Sequence, residues 1–223
     1  MDRSISSPCG CAPPSEPPWF RPGLAALIAA EPGFAVIEAG AGPLPWYVRE
    51  GGFPGLLRTI CGQQVSHQAA NAIWRRLSAV RGALDPTVLP TLDDDTLCGL
   101  GGLTRQRAAH ARALAEAVTT GRLDFAALAA APDEAAVAML TAIRGLGPWT
   151  AEVHLVLSEG RPDVFPAGDI ALAAGLAHVL ALPARPDPKA LRRLSLGWVP
   201  WRGIATRLLW HHWLFVTGRP ALD

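Results

Sequence analysis

A nine-residue stretch, Ile143-Arg144-Gly145-Leu146-Gly147-Pro148-Trp149-Thr150-Ala151, limits the folds open to this chain more than any other segment. Asp133 to Ile143, just before it, carries acidic residues early and apolar residues at helical spacing, which predicts a helix ending near Ile143. Gly145 and Gly147 bracket one apolar residue, so the chain can turn with positive φ and admit the backbone of another molecule. Pro148 suits the first turn of a second helix, predicted through Ser158. Free N–H groups at such a turn and helix start form a concave anion site, and the helix dipole favours a phosphate there. Two of these donors with the Thr150 hydroxyl suit one DNA phosphate without reading a base. On the glycines alone, an ordinary tightly packed helix-helix turn explains the same residues.

The rest of the chain extends the helical signal. Prolines crowd residues 1–21, which predicts a disordered leader, and Arg21-Pro22 then opens a helix through Ala30. Gly33 to Val48 reads as an irregular extended connection. Phe53-Pro54 begins a helix that breaks at Gly62-Gln63-Gln64-Val65, before Ser66 caps the next one, to Val80. Further helices are predicted over Asp93 to Leu100, Thr104 to Thr120, Asp124 to Ala130, Asp169 to Leu180, Pro188 to Leu194 and Trp201 to Thr217. Strand signals are weak, so the pattern predicts an all-α protein of about ten helices.

With 223 residues, half of them hydrophobic, the chain can bury a core as one domain or two small ones. No apolar run reaches the length of a membrane span, and Met1 to Phe20 lacks a signal-peptide core, so a soluble, cytoplasmic, monomeric protein is expected. The net charge of +1 argues neither for nor against DNA, because a local basic face matters more than the total. Cys9 and Cys11 are two metal donors without nearby partners, while Cys61 and Cys98 lie in apolar helical patterns and read as buried thiols. Asp169, eighteen residues past the hairpin, reads by itself as a helix N-cap, and Asp163 reads as a loop or cap residue. Trp74, Trp210 and Trp213, at helical spacing, read as core.

The hairpin stretch, followed by Asp163-Val164-Phe165-Pro166 and Asp169, resembles the helix-hairpin-helix DNA glycosylases, and within them the bacterial DNA-3-methyladenine glycosylase II group. The likeness extends to Ile60 to Ser66, Leu100-Gly101-Gly102-Leu103-Thr104 and Pro200-Trp201-Arg202, covering roughly residues 50 to 216. It implies two helical lobes with an active-site cleft between them: residues 51–167, ending in the hairpin, and 22–50 with 168–223. The β-rich domain that precedes this core in larger relatives is expected to be absent, and so is an iron–sulfur cluster, since four closely spaced C-terminal cysteines are missing.

The resemblance turns Asp169 into the catalytic carboxylate, stabilising the positive charge that develops on deoxyribose as an N-glycosidic bond breaks. Relatives that also cut the backbone carry a lysine two residues past the second hairpin glycine. Trp149 stands there, and the sole lysine, Lys189, lies in a Pro-rich, Arg-flanked segment, which implies a monofunctional glycosylase. Trp149 and Trp201 match pocket positions suited to a cationic alkylated base, with Phe53 and Trp46 as further lining. Val153 stands where some relatives carry an aromatic residue, which implies a wider base site. A flipped base leaves a gap that the Gln63-Gln64-Val65 loop would fill, with Gln64 where some relatives have leucine. Contacts to double-stranded DNA are thus expected from Gln63, Gln64, Ser66, Arg144, Gly145, Leu146, Gly147 and Thr150. The carbonyls of Thr141, Ile143 and Leu146 match a monovalent-cation site. Two alternatives stay open: a non-catalytic helix-hairpin-helix DNA-binding module, and a glycosylase for mismatched or deaminated bases.

Overall fold

A computed structural model describes residues 15–219 of the chain. Among these the backbone forms eleven α-helices and no strand: α1 (Phe20–Ala30), α2 (Ala35–Ala41), α3 (Gly52–Cys61), α4 (His67–Ser78), α5 (Arg105–Thr119), α6 (Phe125–Ala130), α7 (Asp133–Thr141), α8 (Pro148–Leu157), α9 (Ile170–Val179), α10 (Pro188–Leu194) and α11 (Arg202–Val216). The starts follow from side-chain chemistry. Ser66, Thr104, Asp124, Asp169 and Asp187 each accept a first-turn N–H of the helix they precede, and Pro148 and Pro188 occupy first-turn positions that need no N–H.

Three expectations are corrected. Ordered packing begins before residue 22, because Phe20 is fully buried at the start of α1 and Glu16 pairs with Arg21 at 2.8 Å. Residues 1–14, with Cys9 and Cys11, lie outside the described residues. The connection expected to be irregular from Gly33 contains α2, because Phe34 and Ile37, three residues apart, are both buried, and α2 packs against α11. The segment before α5 is a short π-helix, Asp95–Leu100, whose C-terminal carbonyls at Gly99 and Leu100 accept from Arg76.

Two sets of contacts position the site. Helix α3 packs against α4, α5 and α8, burying Leu56, Leu57 and Ile60 completely, each contributing roughly 1.5–3 kcal/mol. Helix α11 packs against α1, α2 and α9. Its approach to α9 is close: a Cβ on Gly175 would lie 2.8 Å from the Leu209 carbonyl oxygen, so only glycine allows this spacing. Arg161 ties the connection after α8 to α7 and the end of α6, pairing with Glu159 and Asp133 and donating to the Ala131 and Leu128 carbonyls. Among the described residues no single helix is long and apolar enough to cross a membrane.

Candidate active site

The two hairpin glycines divide the work expected of both. Gly145 has φ +90°, and a Cβ there would lie 2.2 Å from the His110 ring, so it alone makes the turn and the close packing. Gly147 has ordinary extended backbone, and a Cβ there would meet nothing within 4 Å. It is exposed and caps α8 without a side chain, so no cap side chain occupies the first-turn N–H groups of α8. Ile143 and Leu146 are buried and anchor the turn, so Leu146 offers the outside only its backbone, whereas Arg144 is exposed.

Gln63 joins this hairpin to the break between α3 and α4. Its Nε2 donates to the Gly145 carbonyl at 2.8 Å and to the Thr150 hydroxyl at 3.0 Å. Its Oε1 therefore faces His110 Nδ1, 3.2 Å away, and that nitrogen carries the proton. Burial, then the charges of Arg144 and Arg107, pulls His110 below the usual histidine range. Arg107 also donates to the Gln63 carbonyl. Thr150, 2% exposed, and the half-buried Gln63 brace the hairpin, and both line the cavity described below. The outward positions are Gln64, exposed with left-handed backbone at φ 55°, and Val65. Ser66 caps α4 by accepting the Ala69 N–H, which leaves its exposed hydroxyl proton free to donate.

Asp169 is the α9 cap, and more. Oδ1 accepts the Leu172 N–H at 2.8 Å and the Trp210 indole N–H at 3.2 Å, while Oδ2 accepts the Trp149 indole N–H at 2.8 Å. The half-buried carboxylate lines a cavity of about 1150 Å³. Asp169 is the one acid in that lining, against Arg49, Arg58, Arg107, Arg185 and Arg219. The caps of α4, α5, α8 and α9 also line the cavity, so four helix N-termini add their positive ends to a strongly basic hollow in a nearly neutral chain.

Trp149 and Val153 line this cavity as expected; Phe53, Trp46 and Trp201 do not. Phe53 is 4% exposed in the core. Trp46 and Trp201 join Trp19 in an aromatic cluster, with ring centroids 5.3 and 6.2 Å from that of Trp19. The aromatic wall near Asp169 comes instead from Trp210 and Trp213, both read as core from their spacing. Periodicity places them on one face of α11 and cannot say which part of that face a neighbouring helix covers. Asp163 is held by the Arg202 guanidinium at 2.9 and 2.7 Å and accepts the Arg202 N–H, which makes it a structural cap. Within the turn, the Ile143 carbonyl accepts the Leu146 N–H at 3.0 Å.

The chain is 34% identical to the probable bifunctional transcriptional activator/DNA repair enzyme AlkA of Mycobacterium tuberculosis, over 85% of this chain but 37% of that protein's length. It is 30% identical to DNA-3-methyladenine glycosylase 1 of Schizosaccharomyces pombe, over 70% of this chain and 69% of the relative. The solved structure of the S. pombe 3-methyladenine DNA glycosylase Mag1, in complex with abasic DNA, superposes with a TM-score of 0.78 at 23% identity, covering 86% of this chain and 95% of that one, which speaks for the fold. A family model described as HhH-GPD superfamily base excision DNA repair protein matches residues 57–200, a span that holds the hairpin, the Gln63 strut and Asp169 together. The chain belongs to the HhH-GPD superfamily of base excision DNA repair proteins.

Proposed function

We propose that this chain is a monofunctional DNA glycosylase that takes alkylated bases of the 3-methyladenine type out of duplex DNA and hydrolyses their N-glycosidic bonds. Asp169 carries the reading: a carboxylate fixed by N–H donors from α8, α9 and α11, in a cavity whose lining holds five arginines and no other acid. The names of the relatives, a DNA repair enzyme and a DNA-3-methyladenine glycosylase, support that substrate class. The cavity is the cleft between the two expected lobes, 22–50 with 168–223 and 51–167. The bare Gly147 backbone and the α8 N-terminus grip a phosphate, and Gln64 with Val65 fills the gap left by the flipped nucleotide. A monovalent cation held by the Thr141, Ile143 and Leu146 carbonyls would add positive charge beneath that phosphate.

In the reaction the bond from C1′ to the base nitrogen breaks and its electron pair leaves with the alkylated base, which departs neutral. The positive charge passes to the sugar, where Asp169 stabilises it. Water then bonds C1′ and releases a proton to solvent. No lysine amine competes with that water: Trp149 fills the lysine position, and Lys189, the sole lysine, is exposed on α10 outside the cavity lining. The strand stays intact.

Base release from methylated duplex DNA tests the proposal. The wild type is expected to free 3-methyladenine, with strand breakage only after alkali. Asp169→Asn should lower release by a factor on the order of a thousand while DNA affinity holds. Tight binding without release by folded wild type would make the chain a non-catalytic DNA-binding module. Release of mismatched or deaminated bases alone would move it to another substrate class.

A further inference from the structure

We infer that Trp210 is a positioning residue for the Asp169 carboxylate, closing Oδ1 and leaving Oδ2 as the oxygen that meets the substrate. An ionised carboxylate has about four acceptor sites, two on each oxygen. The Leu172 N–H and the Trp210 indole fill those on Oδ1, and the Trp149 indole fills one on Oδ2, so a single site, on Oδ2, stays open. Ordinary caps in the same chain differ. Asp124 and Asp187 accept backbone N–H groups through Oδ1 alone, in exposed positions. Nothing there fixes the second oxygen.

Trp210 is 6% exposed, and its one polar atom is a donor that needs a partner when buried. Asp169 is that partner. Because Gly175 lets α11 approach α9 so closely, the indole reaches across from a helix that takes no part in the hairpin. Rotating the carboxylate would break bonds to α8, α9 and α11 at once. Charge stabilisation in a transition state depends on a donor or acceptor already fixed in place, which is what this clamp provides. The role rests on the glycosylase reading of Asp169, but the hydrogen bond can be measured without any reaction.

The first readout is the indole N–H proton signal of Trp210 in nitrogen-15-labelled protein. Asp169→Asn is expected to shift the Trp210 and Trp149 signals upfield, as a charged acceptor becomes a neutral one; an unmoved Trp210 signal overturns the inference. The second is single-turnover base release from saturating methylated duplex. Trp210→Phe is expected to slow release about ten- to a hundredfold, with DNA affinity within about twofold of wild type. The same change at Trp198, equally buried and packed on Phe34 and Phe165, should leave both unchanged. A Trp210→Phe protein that excises at the wild-type rate, or loses rate and affinity together, overturns the positioning role even where Asp169→Asn is inactive. If wild type releases no base, the glycosylase reading fails, and the indole signals alone decide the clamp.

Discussion

Two tryptophan-rich regions share helix α11 and use the residue in opposite ways. At its start, Trp201 stacks with Trp19, which meets Trp46 edge-on, and the buried Arg207 guanidinium lies 4.7 Å from the Trp46 ring and 5.0 Å from that of Tyr47. Two turns further on, the Trp210 indole meets the Trp149 indole across the Asp169 carboxylate. In the first region ring faces enclose a cation that has backbone carbonyls and no acid as partners. In the second, ring edges address an anion inside a basic cavity. A tryptophan stabilises through its faces and acts through its N–H. Which of the two matters depends on what the neighbouring helix presents.

The largest effect expected is in the first region. Arg207 donates to the Tyr47 and Val156 carbonyls, joining the segment before α3 to α8, and burial pulls it below the ordinary guanidinium range. Arg207→Met removes that desolvation cost but also the donor to two carbonyls, for a net loss of about 4 kcal/mol by thermal or denaturant unfolding. Base release by the protein that remains folded should be unchanged. A loss of catalysis without a loss of stability would erase the distinction between the regions.

Helix α8 belongs to both regions, through Trp149 and Val156, and between them His154 is 1% exposed with neither ring nitrogen bonded. Burial, then the Arg161 charge, pulls His154 down to about 4 from the ordinary 6.5. The unfolded chain therefore takes up the proton first: the stability is present above pH 6.5 and is lost as pH falls toward 4. Between pH 7 and pH 5 this amounts to about 2 kcal/mol, and His154→Leu should remove it. His212, lowered by burial and then by His178 and His211, leaves a smaller slope of the same sign. An unchanged pH dependence in His154→Leu would mean that α8 is not held by a dry apolar packing around this residue.

What the sequence reveals divides along the same line. Local chemistry was legible: Ser66 and Asp169 cap the helices they precede, and α10 begins and ends as its pattern predicts. Helix α2 was hidden because its stability comes from burying Ile37 under α11, while the flanking glycines and prolines read as a loop. The site was legible as an order of motifs but not as a set of facing side chains. Gln63 meets Gly145 and Thr150 across 82 and 87 residues, and Trp210 meets Asp169 across 41. No spacing within one helix foretells such pairs. Trp201 and Trp210 look alike in the sequence, and only the packing of α1 and α9 on α11 separates them.

Trp149→Phe tests the second region directly. It keeps most of the ring and deletes the donor to Oδ2, so release should fall about ten- to a hundredfold with little change in melting temperature. Equal loss of DNA affinity would place Trp149 in the hairpin's grip and not at the carboxylate.

The smallest effect is the sharpest discriminator. Trp201→Phe trims a half-buried ring in the aromatic cluster, and repacking against Trp19 should hold the cost to about 1 kcal/mol. Because Trp201 does not line the cavity, the ranking of released bases should stay as in wild type. Competition between methylated purines in one duplex preparation measures that ranking independently of enzyme stability. A changed ranking would require the first region to open onto the cavity when DNA binds, with Trp201 turning a ring face toward the base. The two regions would then be one aromatic surface, divided only in the absence of DNA.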